Sequence, residues 1–451
     1  MSNGIHKAMI GVVEAGTRTC RFVAFSSQTL QVVDSHEVDV TTLRPQEGWV
    51  EQDPMEILRA TTTCIEEVMR RIPDGHVAAV GITNQRETTV VWDRLTGKPL
   101  FNALVWNDIR TSSTVDRLLA RIPDRNQDHL KSRCGLPISP YFSGVKLRWL
   151  LDNVPAVSVA VDEGRCLFGT VDTWLLWNLT GGAAGGLHLT DVTNASRTLL
   201  MNIDTLKWDP ELCAALDVPM NILPEIRSCS EIVGRVKGGP LSGTIISGIM
   251  GNQQAALVGE RCFHEGQAKN SYRSGCFLLY NTGEKRVHST HGLLSTVAYQ
   301  MGPEAAPVYA LEGSVAVAGH ALKWLKENMK LLDNPADAEK VAAEVASTGD
   351  VYFVPAFTGL YAPHWRKDAR GILCGLTQFT TKAHIVRAAL EAVCYQTRDI
   401  LEAMAKDFNN SPLRELKVDG KMASNNLLLQ LQADLCGVPV GEYRYYFALK
   451  K

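Results

Sequence analysis

The sequence predicts an α/β protein built from two related domains, and three observations carry that prediction. Apolar runs of strand length alternate with stretches of helical periodicity through the first half. A strand, glycine turn and strand open the chain at residues 9–25, and the pattern returns at residues 244–280. The length, 451 residues, suits two or three domains.

The elements follow in order. Residues 9–13 and 21–25 are apolar runs around Gly16 and Thr17, a hairpin, with a third run near residues 30–33. Asp53 can cap a helix that has Pro54 at its first position and Glu56 at the capping-box position. Ile57, Cys64, Ile65 and Val68 keep helical spacing up to Pro73. Residues 77–82 form a continuous apolar strand that enters the polar loop 83–87, and short strands follow at 90–92 and 104–106. Residues 181–186 read as a surface loop, and residues 223–243, rich in Pro, Gly and Ser, as a connector. The second half opens with a strand at 244–249, a turn at Gly251, and strands at 268–270 and 276–280. Val386, Leu390, Val393, Ile400 and Met404 share a helical face, and residues 425–436 form a helix that Gly437 stops.

Composition excludes several function classes. With 46 basic and 48 acidic residues, the net charge of −2 argues against a nucleic-acid partner or an anionic membrane surface. No apolar run is long enough for a membrane span, and the N-terminus lacks a signal-peptide pattern. The 11 cysteines are scattered without a C-x-x-C pair, which reads as reduced, mostly buried thiols rather than a zinc or disulfide framework. A large soluble cytoplasmic enzyme is the class that remains.

Several turns hold residues suited to chemistry. Around Gly16, backbone N–H groups and the hydroxyls of Thr17 and Thr19 can cradle phosphate, and Glu14 can hold a metal; an ordinary hairpin fits the same residues. Arg86 only donates and Glu87 only accepts, a combination that can bind a polyol or form a local ion pair in a solvated turn. Trp106, Tyr141 and Phe277 can pack on the carbon face of a small polyol or serve as core. The polar stretches 169–174 and 190–197 either position residues near a cleft or cap helices. Asn252 and Gln253 either cap the following Ala-rich helix or line a site.

The stretches GWVEQDP, GITNQRETTVVW, PYFSGVK, FGTVDTWLLW, TDVTNASRTLL, KNSYRSGCFLLYNTGEK, YALEGSVAVAG, VPAFTGLYAPHW, ALEAVCYQTRDILEAM and VDGKMASNN occur in this order. With them the chain resembles the glycerol kinases of the FGGY carbohydrate kinase family over nearly its whole length. The resemblance implies two actin-like ATPase (ribonuclease H-like) domains around a central cleft, here residues 1–247 and 248–451. It implies transfer of the ATP γ-phosphoryl group to a terminal hydroxyl of glycerol, with Mg²⁺. Arg86, Glu87, Trp106, Tyr141, Asn252, Gln253 and Phe277 would form the glycerol pocket, with Arg86 and position 252 catalytic. Thr17, Thr19, Arg21, Ser274, Gly319 and Asn425 would line the nucleotide side, and Glu14 would stand at the metal position. The partners implied are glycerol and a nucleotide, and the sequence leaves a homo-oligomer open.

The chain departs from the family pattern at specific positions. Asn252 stands where the family carries the Asp that acts as general base, and Glu14 where it carries an Asp. Arg18 replaces a Thr, Arg273 and Lys421 replace glycines, and Arg366 replaces an acidic residue. The match dissolves after Val440, so a second domain cut short at its C-terminus is expected. These changes add an alternative: a pseudokinase that binds glycerol or a partner without transfer chemistry.

Overall fold

The computed structural model describes residues 8–73, 75–408 and 413–441. The chain divides into two compact units. Among the described residues, the first holds those from 8 to 255 and 296–307, and the second those from 256 to 295 and from 308 to 441. The aromatic and basic tail expected at 443–451 lies outside the described residues.

The first unit is built on a six-stranded sheet. Its strands are β1 (Ala8–Ala15), β2 (Thr19–Ser26), β3 (Val32–Asp39), β4 (His76–Asn84), β5 (Gly234–Arg235) and β6 (Ile245–Gly251), in the spatial order β5-β6-β4-β1-β2-β3. The hairpin β1–β2 and the pair β2–β3 are antiparallel, while β4 runs parallel to both β1 and β6. Along β1 the burial alternates, so Met9, Val13 and Ala15 face the core. Gly11 shares that inward phase, and Phe22 leaves no room for a side chain there: a Cβ would lie 2.7 Å from its ring.

Helix α1 (Pro54–Arg71) buries Ile57, Cys64 and Val68 in the same core. Asp53 caps it, accepting from the Met55 N–H at 2.8 Å. Glu56 does not complete a capping box. Its carboxylate takes the Thr41 N–H at 3.0 Å and hydroxyl at 2.8 Å, so it ties the helix to the preceding loop instead.

Two placements correct the sequence reading. Strand β6, taken as the opening of the second half, pairs with β4 inside the first sheet. The connector expected at 223–243 carries β5 at the edge of that sheet, and Glu225–Arg227 within it pairs with Leu189–Asp191. Polar and glycine-rich composition hid two short strands whose pairing is supplied from elsewhere in the chain.

A second six-stranded sheet is formed by β7 (Ala268–Tyr272), β8 (Cys276–Gly283), β9 (Leu294–Tyr299), β10 (Val308–Val315), β11 (Leu416–Asp419) and β12 (Val440–Gly441), in the order β9-β10-β8-β7-β11-β12. The hairpin β7–β8 and the pair β8–β10 are antiparallel, while β11 is parallel to β7 and to β12. This repeats the first sheet: a hairpin, an antiparallel third strand outside it, and parallel strands on its other side. The duplication inferred from the glycine turns is therefore present, with β7–β8 as the second hairpin.

Helix α6 (Lys382–Asp407) lays Val386, Leu390, Val393 and Ile400 on the second core. Gly313 of β10 permits the close approach, since a Cβ there would sit 2.3 Å from Ile400 Cγ2. All 11 cysteines are free thiols and nine are buried, as the scattered pattern predicts.

Candidate functional site

In the first unit, three chain segments bring the predicted residues together. The first is the β1–β2 turn. Glu14 and Arg21 are cross-strand partners in the hairpin register. Arg21 donates from Nε to the Glu14 carboxylate at 3.1 Å and from Nη2 in a closer ion pair. Thr17 and Thr19 flank the turn, which Gly16 N–H closes on Thr19 O at 2.9 Å, and Arg18 is exposed.

A closed hydrogen-bond circuit fixes this turn. Gln52 Nε2 donates to Thr17 O at 2.6 Å, and Gln85 Nε2 donates to Gln52 Oε1 at 2.7 Å. Thr88 Oγ1 donates to Gln85 Oε1 at 3.0 Å and accepts from Trp106 N at 3.2 Å. The Trp106 indole then returns to Thr17 Oγ1 at 3.0 Å. Sequence reasoning missed Gln52, Gln85 and Thr88, whose partners are distant in the chain.

The second segment follows β4. Arg86 and Glu87 are buried, 3% and 2% exposed. Glu87 adopts a φ of 60°, and its carbonyl is held by Ser143 Oγ at 3.0 Å and Thr89 Oγ1 at 3.2 Å. Its carboxylate takes Arg197 Nε at 2.6 Å, with Arg86 Nε at 3.8 Å. Arg86 Nη1 donates to Gln254 Oε1 at 3.1 Å. The Arg197 guanidinium lies over the rings of Tyr141 and Phe142 at 5.7 and 5.5 Å. The rings of Trp106 and Tyr141 meet edge-on, with centroids 5.9 Å apart. A donor and an acceptor are thus presented beside aromatic surface, the combination that grips a small polyol. A solvated turn is excluded here by burial. Arg197 was read only within a capping loop, and Gln254 only beside the candidate pair, because neither contact is local.

The third segment is the end of β6, where helix α4 (Asn252–Gly259) begins at Asn252, with Gln253 buried behind it. The Gly251 N–H donates to Thr193 Oγ1 at 2.9 Å, and Thr193 donates to Asp191 Oδ2 at 2.6 Å. Asn84 and Asn194 exchange side-chain hydrogen bonds at 3.0 and 3.1 Å. Asp191 caps the turn Val192–Ala195 as predicted. Asp172 is fully buried and accepts from Thr190 Oγ1 at 2.7 Å. Burial, reinforced by the Asp191 charge, pushes its pKa up to about 7, and burial also raises Asp191.

The second unit holds the remaining predicted residues. Phe277 lies on β8, 9% exposed. Ser274, in the β7–β8 turn, accepts through its carbonyl from Ala318 N at 2.9 Å and His320 N at 3.1 Å, at the start of helix α5 (Gly319–Glu327). Gly319 N donates to Arg273 O at 3.0 Å, and a Cβ on Gly319 would lie 2.7 Å from that oxygen. Gly420, at φ 99°, passes the same turn: a Cβ there would meet Tyr272 O at 2.4 Å. Asn425 caps helix α7 (Asn426–Cys436), accepting from Leu428 N at 2.9 Å. Arg273 is exposed with its guanidinium 3.9 Å from Asp419, and Lys421 is exposed. Arg366 pairs with Asp368 at 2.7 Å on the surface and holds that carboxyl down to about 2.

Among the described residues no group of three or more His, Cys, Asp and Glu side chains could by itself hold a metal ion. Mg²⁺ does not require one, since it commonly binds through one or two carboxylates plus substrate phosphates. Glu14, a half-buried carboxylate at the phosphate-type turn, fits that role, with Arg21 as its competitor.

The comparisons agree with this architecture. Residues 9–259 match the N-terminal domain of the FGGY family of carbohydrate kinases and residues 268–445 its C-terminal domain. A probable glycerol kinase of Dictyostelium discoideum is 49% identical, covering 96% of this chain and 87% of that protein. A glycerol kinase of Brucella anthropi is 51% identical, with 96% and 86% covered. The crystal structure of Plasmodium falciparum glycerol kinase with ADP superposes with a TM-score of 0.87 at 38% identity, covering 98% of this chain and 87% of that one. A gluconate kinase from Lactobacillus acidophilus, 22% identical with a TM-score of 0.81, shares the fold. No helix among the described residues is long and apolar enough to cross a membrane. The chain belongs to the FGGY family of carbohydrate kinases.

Proposed function

We propose that the chain transfers the γ-phosphoryl group of ATP to a terminal hydroxyl of glycerol, giving sn-glycerol 3-phosphate in the cytoplasm. The observation that carries this reading is the buried Arg86–Glu87 pair beside Trp106 and Tyr141. Glu87 accepts from a glycerol hydroxyl, Arg86 donates to one, and the rings cover the carbon chain. Gln253 completes the pocket within the first unit. In the first unit the turn with Thr17, Thr19 and Arg21 offers phosphate contacts, and in the second unit Ser274, Gly319 and Asn425 offer nucleotide contacts. Glu14 would hold Mg²⁺, which neutralises phosphate charge when bound. The relatives named glycerol kinases, at about half identity, support the substrate assignment.

Asn252 sets the rate. Its amide can accept a hydrogen bond from the attacking hydroxyl and orient it, but it cannot take the proton. The proton then leaves to the transferred phosphoryl group or to water. Losing a general base typically removes about 10²–10⁴-fold in rate, while phosphoryl transfer through a loose transition state survives on positioning and charge. Slow catalysis is therefore expected. Nothing in the fold or the comparisons supports a protein without transfer chemistry.

The test is ATP- and Mg²⁺-dependent formation of glycerol 3-phosphate by purified protein. Folded protein, shown by circular dichroism, with no turnover above the no-enzyme control would refute the proposal.

A further inference from the structure

Lys146 occupies a site where a lysine is costly. It lies in the first turn of helix α2 (Ser143–Asn153) and is fully buried. The N-terminal end of a helix repels a cation, and burial strips the ammonium of water. Its three donors go to main-chain carbonyls: Pro140 O and Tyr141 O, each at 2.6 Å, and Trp106 O at 3.3 Å. Those carbonyls belong to two segments that meet only in the fold, and each segment carries one of the two pocket rings.

We infer that Lys146 is the positioning residue of the polyol pocket, tying the Trp106 and Tyr141 segments together through three carbonyl bonds and so setting how tightly glycerol is held. This deepens the proposed function and rests on it. A charged ammonium has three N–H donors for three carbonyls, whereas a neutral amine has two. Deprotonation therefore releases one carbonyl and loosens one aromatic segment. The charged groups that face Lys146 are Asp108 and Glu87, which favour its proton, and Arg110, which opposes it; burial outweighs them and lowers its pKa to about 8.

The experiment measures KM for glycerol at saturating ATP from pH 7 to 9 in the wild type and in Lys146→Met, which keeps length and volume but donates nothing. Expected is a wild-type KM that rises with pH. In Lys146→Met, KM is already raised about tenfold at pH 7 and flat with pH, with kcat within about threefold. A folded Lys146→Met protein with the wild-type KM and pH profile overturns the inference. If that variant does not fold, the wild-type profile decides alone, and a flat KM overturns it. If the wild type makes no glycerol 3-phosphate, the functional reading fails instead. The clamp is then read from Trp106 emission, wild type minus Trp106→Phe. A change centred near pH 8 supports it, and none overturns it.

Discussion

Replacing Arg197 by Met tests whether the Arg86–Glu87 pair is a built site. Arg197 and Glu87 side chains are 0% and 2% exposed, and their bond is 2.6 Å. Removing one partner of a buried ion pair costs about 3–5 kcal/mol, because the remaining charge is left without its counter-charge. Arg86 Nε, 3.8 Å from the same carboxylate, offsets part of this. The expected loss is therefore near the lower end, about 3 kcal/mol, against a total stability of about 5–15 kcal/mol. Urea denaturation followed by tryptophan emission reads the relevant unit. Trp49, Trp92, Trp106, Trp149, Trp174, Trp177 and Trp208 belong to the first unit, and only Trp324 and Trp365 to the second. A single-variant loss under about 1 kcal/mol would refute the reasoning.

Asn252→Asp should raise kcat by about 10²-fold or more while KM for glycerol changes little, as steady-state kinetics at fixed Mg²⁺ can show; an unchanged kcat removes position 252 from the chemistry. Gly319→Ala forces a Cβ to within 2.7 Å of Arg273 O, so KM for ATP should rise and KM for glycerol should not. Asp172 gives a pH signature. Its carboxyl titrates near 7 in the fold, far above the unfolded value, so its stabilising contribution is full in acid and is lost as pH rises through about 7. Urea midpoints compared between wild type and Asp172→Asn should diverge across that window, and parallel midpoints would contradict the assignment.

What the sequence revealed was what local chemistry decides. The β1–β2 hairpin, the Asp53 cap and Pro54 start of α1, and the Gly437 stop of α7 each depend on neighbours a few residues away. Arg86 and Glu87 could be singled out because donor and acceptor are adjacent. What stayed hidden depends on long-range pairing. The Thr17–Gln52–Gln85–Thr88–Trp106 circuit joins residues separated by up to 89 positions, and glutamines carry no periodicity that marks them as buried. Strand β6 was placed in the wrong half for the same reason. Its apolar run is visible in one sequence, but its partner β4 is not.

The cationic replacements do not act as a group. Arg366 spends its charge on Asp368 two residues away, with both side chains 64% exposed, so it adds no net field to the second phosphate turn. Arg273 differs. Its guanidinium stands 3.9 Å from Asp419 with its side chain 49% exposed, a pairing of the kind worth only about 0–1 kcal/mol. Phosphate, with more charge and a geometry that accepts two parallel N–H bonds, outcompetes a carboxylate held so loosely. Asp419 is itself engaged by Ser271 Oγ at 2.6 Å, so Arg273 can leave without stranding it. A long side chain at this turn therefore need not block a nucleotide. It can swing from Asp419 onto a phosphate, and Arg273→Ala should then raise KM for ATP and make it less sensitive to salt.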